Sequence, residues 1–290
     1  MKPTDLDDLV AHHTTDLGGL KMHWVEAGAG PPVVLLHGFP EMWWSWRHQI
    51  RPLAEAGFRV IVPDQRGYND TDKHGPYDVT TLADDVCRLI DTAKAGPNAR
   101  IVGHDWGGAV AWSLASMRPE HVERVAVLNC PHPLVMRTGI FKPRQTIKSW
   151  YMFFFQIPGL AEWLLTKDDA GNLARMLKGN VYDRSNFSNE ELRPFLDAIQ
   201  KPGAAKAMVG WYRAMPRQMI SPPRVGPITC EALLVWGMKD AALGFEDLVP
   251  GTEKHVPKLK VVRVEGSGHF VQSENPAAVN KALLEFLSGS

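Results

Sequence analysis

The chain is 290 residues long, enough for one large α/β domain with an inserted subdomain. Its 32 basic and 32 acidic side chains cancel, so no overall charge draws it to nucleic acid or to an acidic membrane surface. A hydrophobic share of 44% is that of a globular protein and excludes a chain too polar to bury a core.

Leu20–Glu26 alternates as a half-exposed strand does, and the turn over Ala27–Pro32 leads into a second strand. Val33–Leu36 is a continuous apolar run, the pattern of a strand buried on both faces. It opens onto His37-Gly-Phe-Pro40 and an amphipathic helix to about Ala56. Phe58–Pro63 is the next strand, ending at Asp64-Gln-Arg-Gly-Tyr68, and a helix follows near Leu82–Ala93. Arg100-Ile-Val102 ends a buried strand, Gly108–Met117 begins a small-residue helix, and Val122–Leu128 is a further strand. From Pro131 to Pro227 no clear strand is visible; helical segments rich in aromatics and Met fill the interval, with Pro131-His-Pro133 and Pro222-Pro-Arg-Val-Gly-Pro227 at its ends. The α/β rhythm resumes with strands at Leu233–Gly237 and Leu259–Val264 and a helix over Pro276–Leu287. The expected architecture is therefore a mostly parallel sheet with helices on both faces, in a core of residues 1–130 and 228–290 interrupted by a helical cap at 131–227.

The three cysteines, Cys87, Cys130 and Cys230, lie far apart without metal or redox spacing, which suggests a reducing compartment. Met1–Asp8 lacks the apolar run of a signal peptide, and no stretch nears the ~20 apolar residues of a membrane span. A cytoplasmic protein is expected. No phosphate-binding glycine loop or metal-ligand cluster stands out.

Between the strand at Arg100 and the helix at Gly108 lies Gly103-His-Asp105-Trp-Gly107. This G-x-D-x-G pattern matches the strand–turn–helix elbow of nucleophilic hydrolases, with Asp where Ser is usual. A carboxylate there can displace a leaving group at saturated carbon and form an alkyl ester; read alone, it is equally an Asp helix cap. Ligands of open α/β sheets sit at the carboxyl ends of strands. Asp105, Asp240, His269 and the loop at Phe39 all follow predicted strand ends. Taken singly, Asp240 reads as a helix cap, and His269 is one of 11 histidines. The chain order of nucleophile, acid and histidine is that of the α/β-hydrolases. His37 and His104 read as hydrogen-bonded structural histidines, and Asp64 with Arg66 as an ion pair or turn network.

With these motifs the chain resembles an α/β-hydrolase-fold epoxide hydrolase of the soluble type over nearly its whole length. His37-Gly-Phe-Pro40 with Trp43, Trp46 and Arg47 is similar to that family's H-G-x-P segment; Asp64-Gln-Arg-Gly67, Gly103–Gly108 and Gly266-Ser-Gly-His269-Phe resemble its other core motifs. Tyr151–Gly159 and Gly210-Trp-Tyr212-Arg resemble the cap segments that carry two epoxide-polarising tyrosines, with Phe154 where many relatives have a further tyrosine. The resemblance implies Asp105 as nucleophile, His269 with Asp240 as the water-activating pair, and the amides of Phe39 and Trp106 as an oxyanion hole. Tyr151, Tyr212, Trp106 and Phe39 would hold a small apolar epoxide, with water as second substrate and no cofactor or metal. Phenols suit the task without the family: with a pKa near ~10 they donate to an alkoxide while staying neutral at pH 7. Their alternative reading is aromatic packing. A haloalkane dehalogenase also uses Asp followed by Trp, although the two tyrosines count against it; a fluoroacetate dehalogenase would need arginines where Trp106 and Ala109 stand. A non-catalytic receptor on the same fold is the remaining alternative. Neither the epoxide, nor the oligomeric state, nor a choice between detoxification and dedicated metabolism is written in the sequence.

Overall fold

The computed structural model describes residues 3–184, 187–220, 223 and 226–289. Pro222, Arg224 and Val225 of the proline-rich return segment lie outside the described residues. The strands are β1 (Ala11–Asp16), β2 (Lys21–Ala27), β3 (Pro32–Leu36), β4 (Arg59–Pro63), β5 (Ala99–His104), β6 (Val122–Leu128), β7 (Glu231–Gly237) and β8 (Leu259–Val264). Among the described residues they form one sheet in the order β1-β2-β4-β3-β5-β6-β7-β8. β1 and β2 run antiparallel to their neighbours, and the remaining pairs are parallel.

The apolar runs became the centre of this sheet. Val33, Val34, Leu35 and Leu36 are all fully buried, each contributing on the order of 1.5–3 kcal/mol relative to exposure. Helices α1 (Arg47–Glu55), α2 (Val79–Thr92), α3 (Trp106–Met117) and α12 (Pro276–Ser288) flank it, α1 packing with α12 and α2 with α3. Short helices α10 (Phe245–Leu248) and α11 (Val271–Glu274) follow β7 and β8. Between β6 and β7 come α4 (Pro133–Gly139), α5 (Pro143–Lys148), α6 (Trp150–Phe154), α7 (Leu160–Gly179, interrupted at Lys167–Ala170), α8 (Asn189–Gln200) and α9 (Ala204–Ile220).

Four points differ from the reading of the sequence. β2 is not half-exposed: Met22–Val25 are buried, because β1 and β4 hydrogen-bond its two edges and the core closes over both faces. β1, Ala-His-His-Thr-Thr-Asp, carries no apolar alternation and gave no strand signal, being an exposed edge. Asp64 and Arg66 do not pair. Arg66 forms a two-point ion pair with buried Asp85, at 2.6 and 2.8 Å, while Asp64 accepts from His23, Trp43 and Asn69. α2 begins at Val79, earlier than expected, because the Asp78 side chain accepts from the Thr81 amide and caps it.

Candidate active site

β5 gives way to Asp105, whose φ of 50° and ψ of −121° are conformationally unusual for a residue with a side chain. Such a backbone costs on the order of 1–3 kcal/mol and persists only where its surroundings impose it. Two glycines impose it here. A Cβ on Gly103 would strike the Gly107 carbonyl, and one on Gly107 would strike the carbonyls of Leu36 and His37. The elbow therefore brings α3 against β5 and β3 more closely than any side chain allows. Asp105 is left at the carboxyl edge of the sheet, with Oδ1 accepting from the Phe39 amide at 2.9 Å. The Trp106 amide stands in the first turn of α3, where amides have no intrahelical acceptor.

His269 follows β8 and presents both ring nitrogens to carboxylates: Nδ1 lies 2.8 Å from Asp240 Oδ2, and Nε2 lies 3.6 Å from Asp105 Oδ2. Asp240, in the loop after β7, is saturated by donors. Its Oδ1 accepts from the amides of Ala242 and Leu243, both at 2.8 Å, and its Oδ2 accepts from Asn129 Nδ2 at 2.7 Å as well as from His269. Burial alone would raise the Asp240 carboxyl, but the charge of His269 and these bonds hold it below the usual range. Asp105 follows the same balance, burial pushing up and His269 drawing down further. Burial pushes His269 down, yet Asp240 and then Asp105 raise it well above an ordinary imidazole.

Several supports were not anticipated. Asn129, at the end of β6, donates to Asp240 and accepts from the Gly237 amide at 2.9 Å, tying the acid loop to β7. Its one signal is a polar residue directly after an apolar strand. Glu274 accepts from the amides of Gly268 (2.8 Å), Phe270 (3.1 Å) and Tyr182 (2.7 Å), so one carboxylate holds the histidine loop from both sides. Buried Glu41 accepts from His104 Nδ1 at 2.9 Å and from Ser45, while His104 Nε2 donates to the His269 carbonyl at 2.9 Å. No sequence signal foretold the bonds of Glu274 to Tyr182, of Glu41 to His104 and of His104 to the His269 carbonyl, whose partners are distant in the chain. His37 links its own loop to the Gln65 amide at 3.0 Å, the structural place expected of it.

The helices between β6 and β7 lay two phenols over the elbow. Tyr151 starts α6 and Tyr212 lies within α9, their rings 5.9 Å apart and near perpendicular. Tyr212 stands edge-on to Phe39 and to Trp106, at 5.1 Å from each. Burial, and secondarily the negative charge of Asp105, raise both hydroxyls well above an ordinary phenol, so both are donors. A cavity of about 170 Å³ opens beside them, walled by Asp105, Trp106, Tyr212, Met136, Met152 and Met215 among others. Phe39, Tyr151, Asp240 and His269 are not part of that wall. Elsewhere, His23, Asp64 and Asp70 bring ligand-type atoms within 4.8 Å of one another, but Asp64 is bonded to His23 and Asn69, and Asp70 to Lys201.

Residues 31–276 match the family described as alpha/beta hydrolase fold. The AB hydrolase superfamily protein YfhM of Bacillus subtilis is 41% identical over 93% of this chain and 95% of its own length. Epoxide hydrolase A of Mycobacterium tuberculosis is 32% identical over 94% of this chain and 96% of its own. The crystal structure of Epoxide Hydrolase A from Mycobacterium thermoresistibile superposes with a TM-score of 0.85 at 32% identity, covering 97% of this chain and 98% of that one.

Proposed function

The chain belongs to the α/β-hydrolase-fold epoxide hydrolases, and on that footing we propose that it converts an apolar epoxide to a vicinal diol through a covalent ester on Asp105. Residues 131–227 act as the cap that supplies the two phenols, and 1–130 with 228–290 as the catalytic core. The observation that carries this reading is the carboxylate of Asp105, gripped at one oxygen by the Phe39 amide, beside His269 and beneath Tyr151 and Tyr212.

Oδ2 of Asp105 attacks one epoxide carbon, and the ring C–O bond breaks. The developing alkoxide receives hydrogen bonds from both tyrosines and a proton from one of them. Once Asp105 is esterified its charge is gone, which removes one influence raising the phenols and one raising His269. His269 then takes a proton from water, whose oxygen attacks the ester carbonyl carbon. Oδ1 becomes the oxyanion, stabilised by the amides of Phe39 and Trp106. The Cγ–Oδ2 bond breaks, His269 returns its proton to the departing diol oxygen, the water oxygen remains in the Asp105 carboxylate, and the water's second proton restores the tyrosine that had given up its own. Asp240 orients His269 and stabilises its cationic form. The cavity, with four methionines in its wall, favours an apolar substrate.

The test is a single turnover in heavy-oxygen water with enzyme in excess. The label is expected in the peptide containing Asp105, with the first diol unlabelled. A labelled first diol beside an unlabelled peptide makes Asp105 a general base and overturns the covalent route. A parallel panel of alkyl halides, followed by halide release, separates this reading from a dehalogenase.

A further inference from the structure

The insertion between β6 and β7 carries an apolar stripe that its own packing leaves open. Ile147 is 75% exposed, Trp150 63% and Phe153 56%, and Ile157, Leu160 and Trp163 continue the series. Trp150 with Phe153 in α6 and Leu160 with Trp163 in α7 stand three residues apart on their own helices, with Ile147 in α5 and Ile157 in the turn between α6 and α7. Scattered exposed apolar residues need no explanation, whereas a contiguous run of this kind marks an interaction surface. α6 faces two ways: Met152 lines the cavity, and Trp150 and Phe153 point outward.

The charge around the stripe is one-sided. From Pro131 to Ala161 the chain carries Arg137, Lys142, Arg144 and Lys148 and no carboxylate, although the whole chain balances 32 against 32. At the far end Lys167 lies over the Trp163 ring at 4.8 Å. Of the nearby acids, Glu162 is taken up by Arg213, and Asp247 lies 4.0 Å from Lys142, leaving the cations in excess. Asp168 and Asp169 stand beyond Glu162, the latter paired with Arg193 at 2.6 Å. Outward Trp, Phe and Ile among an excess of cations is the composition of a face that sits in a bilayer interface, aromatics at headgroup depth and cations against acidic lipid.

We infer that this face docks on an anionic lipid surface. No helix among the described residues is long and apolar enough to cross a membrane, so the contact is peripheral. Its use rests on the epoxide hydrolase reading: an apolar epoxide concentrates in lipid, and α6 puts the cavity about one helix diameter, ~10 Å, from that layer. The docked segment is also bonded to the loop of the catalytic acid, Lys148 Nζ donating to the Asp240 carbonyl at 2.8 Å and Gln145 Nε2 to that of Ala242 at 2.9 Å.

The experiment is flotation of the full chain with vesicles of phosphatidylcholine alone and with added phosphatidylserine, alongside turnover of a water-soluble epoxide. The native protein floats with the anionic vesicles, less so as salt is raised. Arg144→Glu and the double change Trp150→Ser with Phe153→Ser each weaken binding at least about tenfold. Both variants keep native turnover of the soluble substrate. Absence of flotation, or variants that float like the native chain, overturns the proposal. So does a native dimer that the double change dissociates without altering flotation, because a second copy then covers the stripe. Flotation without turnover leaves the docking in place and removes the activity reading instead.

Discussion

Nε2 of His269 stands 3.6 Å from Oδ2 of Asp105, beyond hydrogen-bonding range. The contrast with the 2.8 Å bond from its other nitrogen to Asp240 divides the labour between the two carboxylates. Asp240 is bonded at both oxygens, whereas Asp105 is held at Oδ1 by Phe39 and would keep Oδ2 for the proposed attack.

His269→Gln therefore leaves the first step intact and disables the second. Intact mass after mixing with substrate shows one alkyl adduct per chain, and steady turnover falls by roughly 10²–10⁴, the range of a lost general base. A variant that neither accumulates adduct nor loses turnover removes His269 from the mechanism.

The two phenols donate to one oxygen, so their losses are not additive. Tyr151→Phe and Tyr212→Phe each slow adduct formation by about tenfold, the worth of one hydrogen bond of ~1–1.5 kcal/mol. The double change nearly abolishes adduct formation. Rapid-mix mass spectrometry on all three variants checks this, and near-native alkylation by the double variant would point to a leaving group that needs no phenol.

Asp240 raises the pKa of His269 more than Asp105 does. In Asp240→Asn that influence is lost, so the imidazole is neutral at lower pH. The acid limb of ester hydrolysis moves acidward even as its plateau falls. The same sign governs stability. Because the folded pKa of His269 is raised, its contribution is complete below the ordinary value of ~6.5 and lost as pH rises through the raised value. A pH series of single-turnover decay rates, native against variant, reads the shift. An alkaline displacement would contradict the assignment.

Glu41 is the buried acceptor for His104, Ser45 and Gln272. Burial raises its carboxyl, but the charge and hydrogen bond of His104 outweigh this and hold it low. Glu41→Ala strands those donors and destabilises by about 3–5 kcal/mol, as loss of one member of a buried pair does. Glu41→Gln keeps one acceptor oxygen and costs less. Denaturant midpoints at fixed pH order the three proteins, and a Glu41→Ala midpoint equal to native would refute the network's role.

Much of the molecule could be read from local pattern. Val33–Leu36 and Val125–Leu128 are buried on both faces, and that condition writes itself into sequence as an unbroken apolar run. The elbow was legible because two glycines and an acid must sit at fixed spacing to make the turn. Asn129, Glu274 and Glu41 were not, since each also acts on a partner brought near only by folding: Asn129 meets Asp240 across 111 positions, Glu274 meets Tyr182 across 92 and Glu41 meets His104 across 63. Arg66 reads as an ion pair or turn network with the neighbouring Asp64 for the same reason, proximity in sequence standing in for the distant Asp85 that the fold supplies.

The chain leaves the sheet at Leu128 and returns at Glu231, yet β6 and β7 are adjacent and paired from Arg124↔Glu231 to Leu128↔Val235. Exit and re-entry are thus rungs of one ladder, and everything between them is a detour that the sheet does not measure. The residues assigned to the two chemical steps are correspondingly split: Asp105, Asp240 and His269 belong to the ladder, Tyr151 and Tyr212 to the detour. In evolutionary terms the detour can lengthen, shorten or change its lining while the ladder keeps the proposed nucleophile, base and acid in alignment. On the proposed mechanism such a protein can acquire new substrates without relearning how to hydrolyse an ester.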